Sequence, residues 1–332
     1  MIELIKQLVE IDAPSGGEAR FADFIATQAR PHADAVRIDL MGNLLIRKPG
    51  TGARFLIACR MDEPGFCITH VDRKGFLRFG PVGEIPPANA LGARVRLSSG
   101  AVGVIREEKR EPKTEPSYDR MFIDLGARDW EEASRFAKAG DLACFAGELQ
   151  EGEGVLIGKA VALRTLCAAL LSILKAFPET PNDVTFALTV QGELSGRGAV
   201  VAAYNLNPTL AMVLEACETD DLPGTKGPSL SLRGGPAIRV KDSQIVTSPK
   251  VREVLMDLAS AEKIPYQLEV SEAPALNART IQSSSGGTLT GVLCLPVRYL
   301  RTNQEVIAWQ DVEQLARLLR GLLTLDLREK GF

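Results

Sequence analysis

Apolar residues recur at helical spacing from the start of the chain, where Ile2, Ile5, Leu8 and Val9 share one face. After Pro14, Ser15-Gly16-Gly17-Glu18 has capping-box spacing: Ser15 would accept the N3 amide and Glu18 would reach back to the cap. Phe21, Phe24, Ile25 and Ala29 then predict the buried stripe of a second helix. Residues 36–40 and 44–47, separated by Met41-Gly42-Asn43, read as a strand pair. Three later apolar runs, 55–59, 184–190 and 210–214, lack polar alternation. Such runs suit strands covered on both faces of a parallel or mixed sheet. Each leads to an acid, respectively Asp62, Glu193 and Glu215.

Between 69 and 157 the texture changes. Short strand candidates at 76–79, 93–97, 102–105 and 121–124 are separated by Gly and Pro, which predicts a small β-barrel or sandwich. Within it, residues 106–120 are almost entirely charged and polar with two prolines, and read as a mobile loop. Helices are expected at 161–177, 248–263 and 310–325. The fold class is therefore α/β: one sheet-centred domain, residues 1–68 plus 158–332, with a β domain, 69–157, inserted into it.

Composition narrows the functional classes. The chain of 332 residues is 45% apolar, long enough for a large core without disulfide or metal staples. Lys and Arg total 39 against 42 Asp and Glu, a net −3, so no basic excess exists to grip nucleic acid or anionic lipid. The longest apolar run, 165–174, is too short to span a bilayer, and Glu3, Lys6 and Glu10 interrupt any secretory signal at the start. Six scattered cysteines, none in a C-x-x-C pair, read as buried thiols of a cytoplasmic protein.

Candidate chemistry lies at the three acids. Open α/β sheets bind ligands beyond the carboxyl ends of their strands, and three carboxylates reaching that edge by independent routes suggest a site. Any one alone would be read as a solvated loop acid; the three together make a site an equal reading. With only two histidines in the chain, a zinc site would rest mostly on carboxylates.

Several stretches carry a resemblance. They include Asp62-Glu63-Pro64-Gly65-Phe66, Gly75-Phe76-Leu77-Arg78-Phe79-Gly80-Pro81-Val82-Gly83, Gly158-Lys159-Ala160, Thr189-Val190-Gln191-Gly192-Glu193-Leu194-Ser195-Gly196-Arg197-Gly198-Ala199 and Pro296-Val297-Arg298-Tyr299-Leu300. In order, and over essentially the whole chain, they resemble the di-metal aminopeptidases that include glutamyl and deblocking aminopeptidases and the tetrahedral shell-forming enzymes. The resemblance implies a sheet-centred catalytic domain holding two zinc or cobalt ions. It also implies that the inserted β domain serves dimerisation, giving a homo-oligomer that is a dimer or a higher shell.

The same resemblance exposes departures. Where the family has a histidine ligand two residues before an aspartate, this chain has Arg60 before Asp62. Ala162 stands where the bridging aspartate is expected, Gly192 replaces the general base, and Glu193 keeps the adjoining ligand. Glu215 occupies an aspartate position and Arg301 the last histidine position. Asn277 corresponds to an acid reduced to its amide and, with Arg298, is a candidate contact for a ligand in the cleft.

Alanine has no donor atom and arginine no lone pair, so the expected pair of ions loses its bridge and two ligands. Buried carboxylates without metals need another countercharge. Arg60 and Arg301 are expected to supply it to Asp62, Glu193 and Glu215. This predicts a family member that has lost metallopeptidase activity, needs no cofactor, and acts as a binding, scaffold or partner subunit. An active paralogous subunit is one candidate partner, and a peptide or amino acid one candidate ligand. The rival reading is a working hydrolase with a remodelled site, in which Glu193 and Glu215 hold one weakly bound divalent metal. Other nucleophile schemes find little support: His32 and His70 lie outside the matched ligand positions, and Ser195 lacks the Gly-x-Ser-x-Gly spacing. Cys59 would have its thiol pKa lowered by Arg60 but has no base partner, and the 283–287 Ser/Gly run reads as a surface turn or an anion cradle.

Overall fold

The computed structural model describes residues 1–109, 115–226 and 229–332. The first amphipathic stripes form helices α1 (Ile2–Glu10) and α2 (Ala19–Ala29). The capping box does not form: Ser15 donates its hydroxyl to Asp62, while Glu18 accepts from the amides of Gly16 at 2.9 Å and Gln191 at 2.8 Å. Side chains with local capping geometry are instead spent on tying the chain start to a distant strand end.

The predicted hairpin is β1 (Ala35–Ile38) and β2 (Leu44–Lys48), and the first apolar run is β3 (Arg54–Arg60). The chain then leaves for a closed barrel. It comprises β4 (Gly65–Val71), β5 (Leu77–Val82), β6 (Arg94–Leu97), β7 (Val102–Glu107), β8 (Met121–Asp124) and β9 (Leu142–Phe145). Short helices α3 (Pro87–Ala90) and α4 (Trp130–Ala133) interrupt it. The strands close in the order β4-β5-β8-β7-β6-β9, and Phe66 fills the interior edge-on against Phe79 and Phe145, with ring centroids 5.2 and 5.3 Å away. The polar run 106–120 is less irregular than expected, since Arg106 and Glu107 end β7 and Tyr118–Arg120 form a 3-10 turn. Its middle, 110–114, lies outside the described residues.

Return to the main layer comes through the hairpin β10 (Gln150–Gly152) and β11 (Val155–Gly158), whose second strand pairs with β17 (Glu305–Ala308) rather than with the barrel. Helix α5 (Val161–Lys175) is buried on nearly every side, as its almost wholly apolar sequence requires. After it come β12 (Asp183–Thr189), α6 (Arg197–Leu206), β13 (Leu210–Glu218), β14 (Ala237–Lys241) and α7 (Pro249–Ala261). The remaining elements are β15 (Gln267–Val270), α8 (Leu276–Gln282), β16 (Leu289–Val297) and, after β17, α9 (Trp309–Thr324).

The main sheet runs β1-β2-β12-β3-β13-β16-β14-β15. Its centre, β12, β3, β13 and β16, is parallel. One face packs under α1, α2, α5, α7 and α9, the other under α6 and α8, so the apolar runs are covered from both sides. Among the described residues, no helix is long and apolar enough to cross a membrane.

Register decides where the chemistry sits. Thr189 pairs with Arg60, and Leu214 pairs with Cys59, so Arg60 and Glu215 end side by side at the carboxyl edge of neighbouring strands. A buried network fixes the linker that leaves this edge. Glu63 takes the Lys159 amine at 2.9 Å and the Arg164 guanidinium at 2.6 Å, and Lys159 also reaches Asp12 at 2.6 Å. Burial alone would raise the Glu63 pKa, but these two cations outweigh it and hold it below the ordinary value. Arg164 further stacks 4.3 Å from the Phe21 ring, which locks α5 to α2.

Candidate functional site

Three of the expected residues converge. Arg60, Glu193 and Glu215 are 7%, 5% and 6% exposed, and all three meet at the carboxyl edge of the sheet. Arg60 donates through Nη1 to Glu193 Oε1, and its Nε lies 3.6 Å from Glu215 Oε2. Burial opposes the guanidinium charge, yet Glu193, Glu215 and Asp62 together raise the Arg60 pKa above its ordinary value. Burial raises the pKa of both glutamates, with Arg60 pulling each back down. One cation therefore serves two carboxylates.

Asp62 is at the site but takes no guanidinium, contrary to the sequence expectation. Its Oδ1 accepts from the Gly192 amide at 2.9 Å and its Oδ2 from the Glu193 amide at 2.8 Å, with Ser15 adding its hydroxyl. Backbone donors and one hydroxyl satisfy this fully buried carboxylate, so it needs no side-chain cation. The turn it holds contains Gln191 at φ 52° and Ser195 at φ 75°, left-handed conformations stabilised by these cross-contacts.

Arg301 is the second correction. Its Nη1 pairs with Glu84 at 3.1 Å and, among the described residues, makes no ion pair with Asp62, Glu193 or Glu215, although its charge still helps to lower the Glu193 pKa. Asn277 and Arg298 are also committed elsewhere. Asn277 is fully buried and donates to Thr189 Oγ1 at 3.0 Å, leaving its Oδ1 without a partner. Arg298 grips Asp221 through Nε at 3.0 Å and Nη2 at 2.6 Å. Cys59 departs from expectation as well, because contact with Cys167 (sulfurs 3.8 Å apart) and burial push its thiol pKa up. His70 is an exposed residue of β4 and His32 sits in a 3-10 turn; Ser195 and most of the 283–287 turn are exposed.

Space at Gly192 is already taken. A Cβ there would lie 2.8 Å from Asp62 Oδ1 and 2.9 Å from both Cβ and Cδ of Arg60. The stem of Arg60 thus occupies the volume that any larger residue at 192 would need. Ala162, fully buried, offers only its amide, which donates to Glu305 Oε2 at 3.2 Å. The donor set does not fit a metal pair: position 162 has no bridging atom, both Asp62 oxygens accept backbone bonds, and a guanidinium already lies between the remaining carboxylates.

Sequence reasoning missed Glu305. Its carboxyl joins the start of α5 to the 301 loop by accepting from the amides of Ala162 and, at 3.1 Å, Arg301. A lone acid beside an apolar strand gives no sequence signal of such a role. Also missed was the contribution of the barrel, whose Gly83 (φ 94°) backs directly onto Glu193 and whose Asn89 and Pro86 wall the cleft. That cleft, about 170 Å³, is lined by Arg60, Glu215, Glu218, Arg239, Glu269 and Arg301 among others. On its far wall Arg239 is bound through two nitrogens to Glu269, at 2.7 and 2.8 Å, next to Cys294 and Cys217.

A mixed eight-stranded sheet covered by helices on both faces, with an acid-bearing carboxyl edge and a closed barrel inserted after β3, is the α/β architecture that this chain shares with solved aminopeptidases. The sequence model of the family described as M42 glutamyl aminopeptidase matches residues 42–318, and the chain belongs to that metallopeptidase family. A protein of Acetivibrio thermocellus named provisionally as an aminopeptidase is 35% identical over 96% of this chain and 97% of its own. The aminopeptidase APDkam598 from Desulfurococcus kamchatkensis superposes with a TM-score of 0.92 at 31% identity, covering 97% of this chain and 94% of that one. A TET1 peptidase from Pyrococcus horikoshii, which can assemble into a tetrahedron or a large octahedral shell, superposes at 0.85 with 28% identity over 97% and 99%.

The Glu305 environment gives a pH signature. Burial raises its pKa from 4.5 to about 7, despite the two amide bonds and the nearby Arg60. The folded state therefore binds more protons than the unfolded state between those values, and stability falls as pH rises through that window. In Glu305→Gln this fall should be smaller by at most about 3 kcal/mol between pH 4.5 and pH 8, whatever the fixed cost of the lost amide bond. Denaturant titrations of both proteins across that range check it, and parallel pH profiles would refute it.

Proposed function

We propose that this chain is a homo-oligomeric member of the M42 family without metallopeptidase activity, acting as a binding, scaffold or partner subunit. The observation carrying this reading is the Arg60 guanidinium held against Glu193 and Glu215. A fixed cation there repels a metal ion by the same electrostatics that stabilise the two carboxylates. Gly192 supplies no carboxylate to take a proton from water, and Ala162 supplies no bridge. The shell assembly of the Pyrococcus horikoshii peptidase supports a homo-oligomer, with the inserted barrel as the dimerisation element. An active paralogous subunit, or a peptide or amino acid in the cleft beside Arg60, fits the same reading. Six free cysteines accord with a cytoplasmic location.

Protein purified and then supplied with zinc or cobalt is expected to release no product from a panel of amino-acyl chromogenic substrates. Metal-dependent turnover that disappears in Glu193→Gln would overturn the proposal in favour of a remodelled hydrolytic site. Stability offers a separate check. Arg60→Met leaves two buried carboxylates without their cation and should cost about 3–5 kcal/mol in denaturant unfolding. Arg301→Met breaks a pair whose Glu84 partner is 64% exposed and should cost less than about 1 kcal/mol. Equal costs would contradict the assignment of Arg60 as the resident countercharge.

A further inference from the structure

The amino ends of the same parallel strands carry a second cavity, of about 400 Å³, bounded by β1, β2, β12, β3 and the end of α6. Ala35 pairs with Arg47, Arg47 with Thr185 and Thr185 with Leu56, so these side chains share one face of the sheet. Leu45 and Leu56, with Leu206 and Pro208 from the α6 end, give the cavity an apolar floor. Its rim carries three arginines, Arg37, Arg47 and Arg54, against one acid, Asp183.

Charge on that rim is unbalanced. Arg47 donates to both oxygens of Asp183, each at 2.8 Å, and so consumes the only acid lining the cavity. Among the described residues, neither Arg37 nor Arg54 has an ion-pair partner or a side-chain hydrogen bond. Two uncompensated positive charges therefore face one cavity in a chain whose net charge is −3. Helix α6 ends here and adds the equivalent of about half a negative charge, too little to cancel them.

The size lies within the range of small-molecule sites. A hydrated inorganic anion gains nothing from a leucine floor, whereas an anion with a hydrocarbon tail gains from every methylene it buries. We propose that this cavity binds a medium-chain carboxylate, its tail on Leu45, Leu56 and Leu206 and its head group paired with the free guanidinium groups of Arg37 and Arg54. The site is remote from the Arg60 edge and stands whether or not the protein has hydrolytic activity.

Calorimetric titration of the full chain with octanoate tests this, alongside octanamide (tail without charge) and inorganic phosphate (charge without tail). Octanoate is expected to bind saturably with one site per chain, and each control at least about tenfold more weakly. The double variant Arg37→Gln/Arg54→Gln, altered only at exposed side chains and checked for folding by circular dichroism, should weaken octanoate at least about tenfold. Absence of saturable binding, unchanged affinity in the double variant, or phosphate binding as tightly as octanoate would each overturn the proposal.

Discussion

A carboxylate cannot stay buried and ionised without a countercharge, and the carboxyl edge of this sheet buries Glu193 and Glu215 together. One arginine at the end of β3 answers that demand. Because Arg60 ends a central strand, paired with Thr189 on one side and one residue past the last pairing on the other, its guanidinium is delivered to a fixed point. An internal cation of this kind brings its charge without requiring bridging ligands, and guanidinium geometry suits it to contact more than one carboxylate.

The neighbouring residues fit this solution as a set. Gly192 leaves room for the stem of Arg60, and Asp62 organises the turn that presents Glu193 by accepting its backbone amides. Ala162 keeps the start of α5 compact against the Glu305 carboxyl. From the barrel side, Gly83 closes down on Glu193 and Glu84 pairs with Arg301. Restoring a larger residue at 192 would therefore meet the volume that the Arg60 stem and Asp62 already occupy. This interdependence is what distinguishes a remodelled edge from one accidental substitution.

Much of the layout was legible in the sequence because it rests on patterns with a strong physical cause. Unbroken apolar runs leading to Asp62, Glu193 and Glu215 marked three of the four central strands and their acid-bearing edge, and the short Gly-punctuated strands marked the inserted barrel. The role of Arg60 followed from the family resemblance, which placed it at a ligand position, together with the need of buried carboxylates for a countercharge. What stayed hidden depended on three-dimensional choices among competing partners. Ser15 and Glu18 had the spacing of a local cap but were drawn to Asp62 and Gln191, far away in the chain. Arg301 had two acidic neighbourhoods within reach, and it makes its ion pair with Glu84 from the barrel side while still acting on Glu193 through its charge. Glu305 carried no pattern at all, and Gly83, though it ends a matched stretch, gave no sign that it would meet Glu193, since both roles arise from which elements meet at the cleft.

The most direct measurement is anomalous diffraction at the zinc absorption edge from crystals of the protein saturated with zinc. The expected map has no anomalous peak within coordination distance of Glu193 or Glu215, and shows continuous density for the Arg60 side chain between them. Two peaks a few ångströms apart at this edge, with the Arg60 guanidinium displaced toward solvent, would contradict the central claim that arginine has taken the place of the metals.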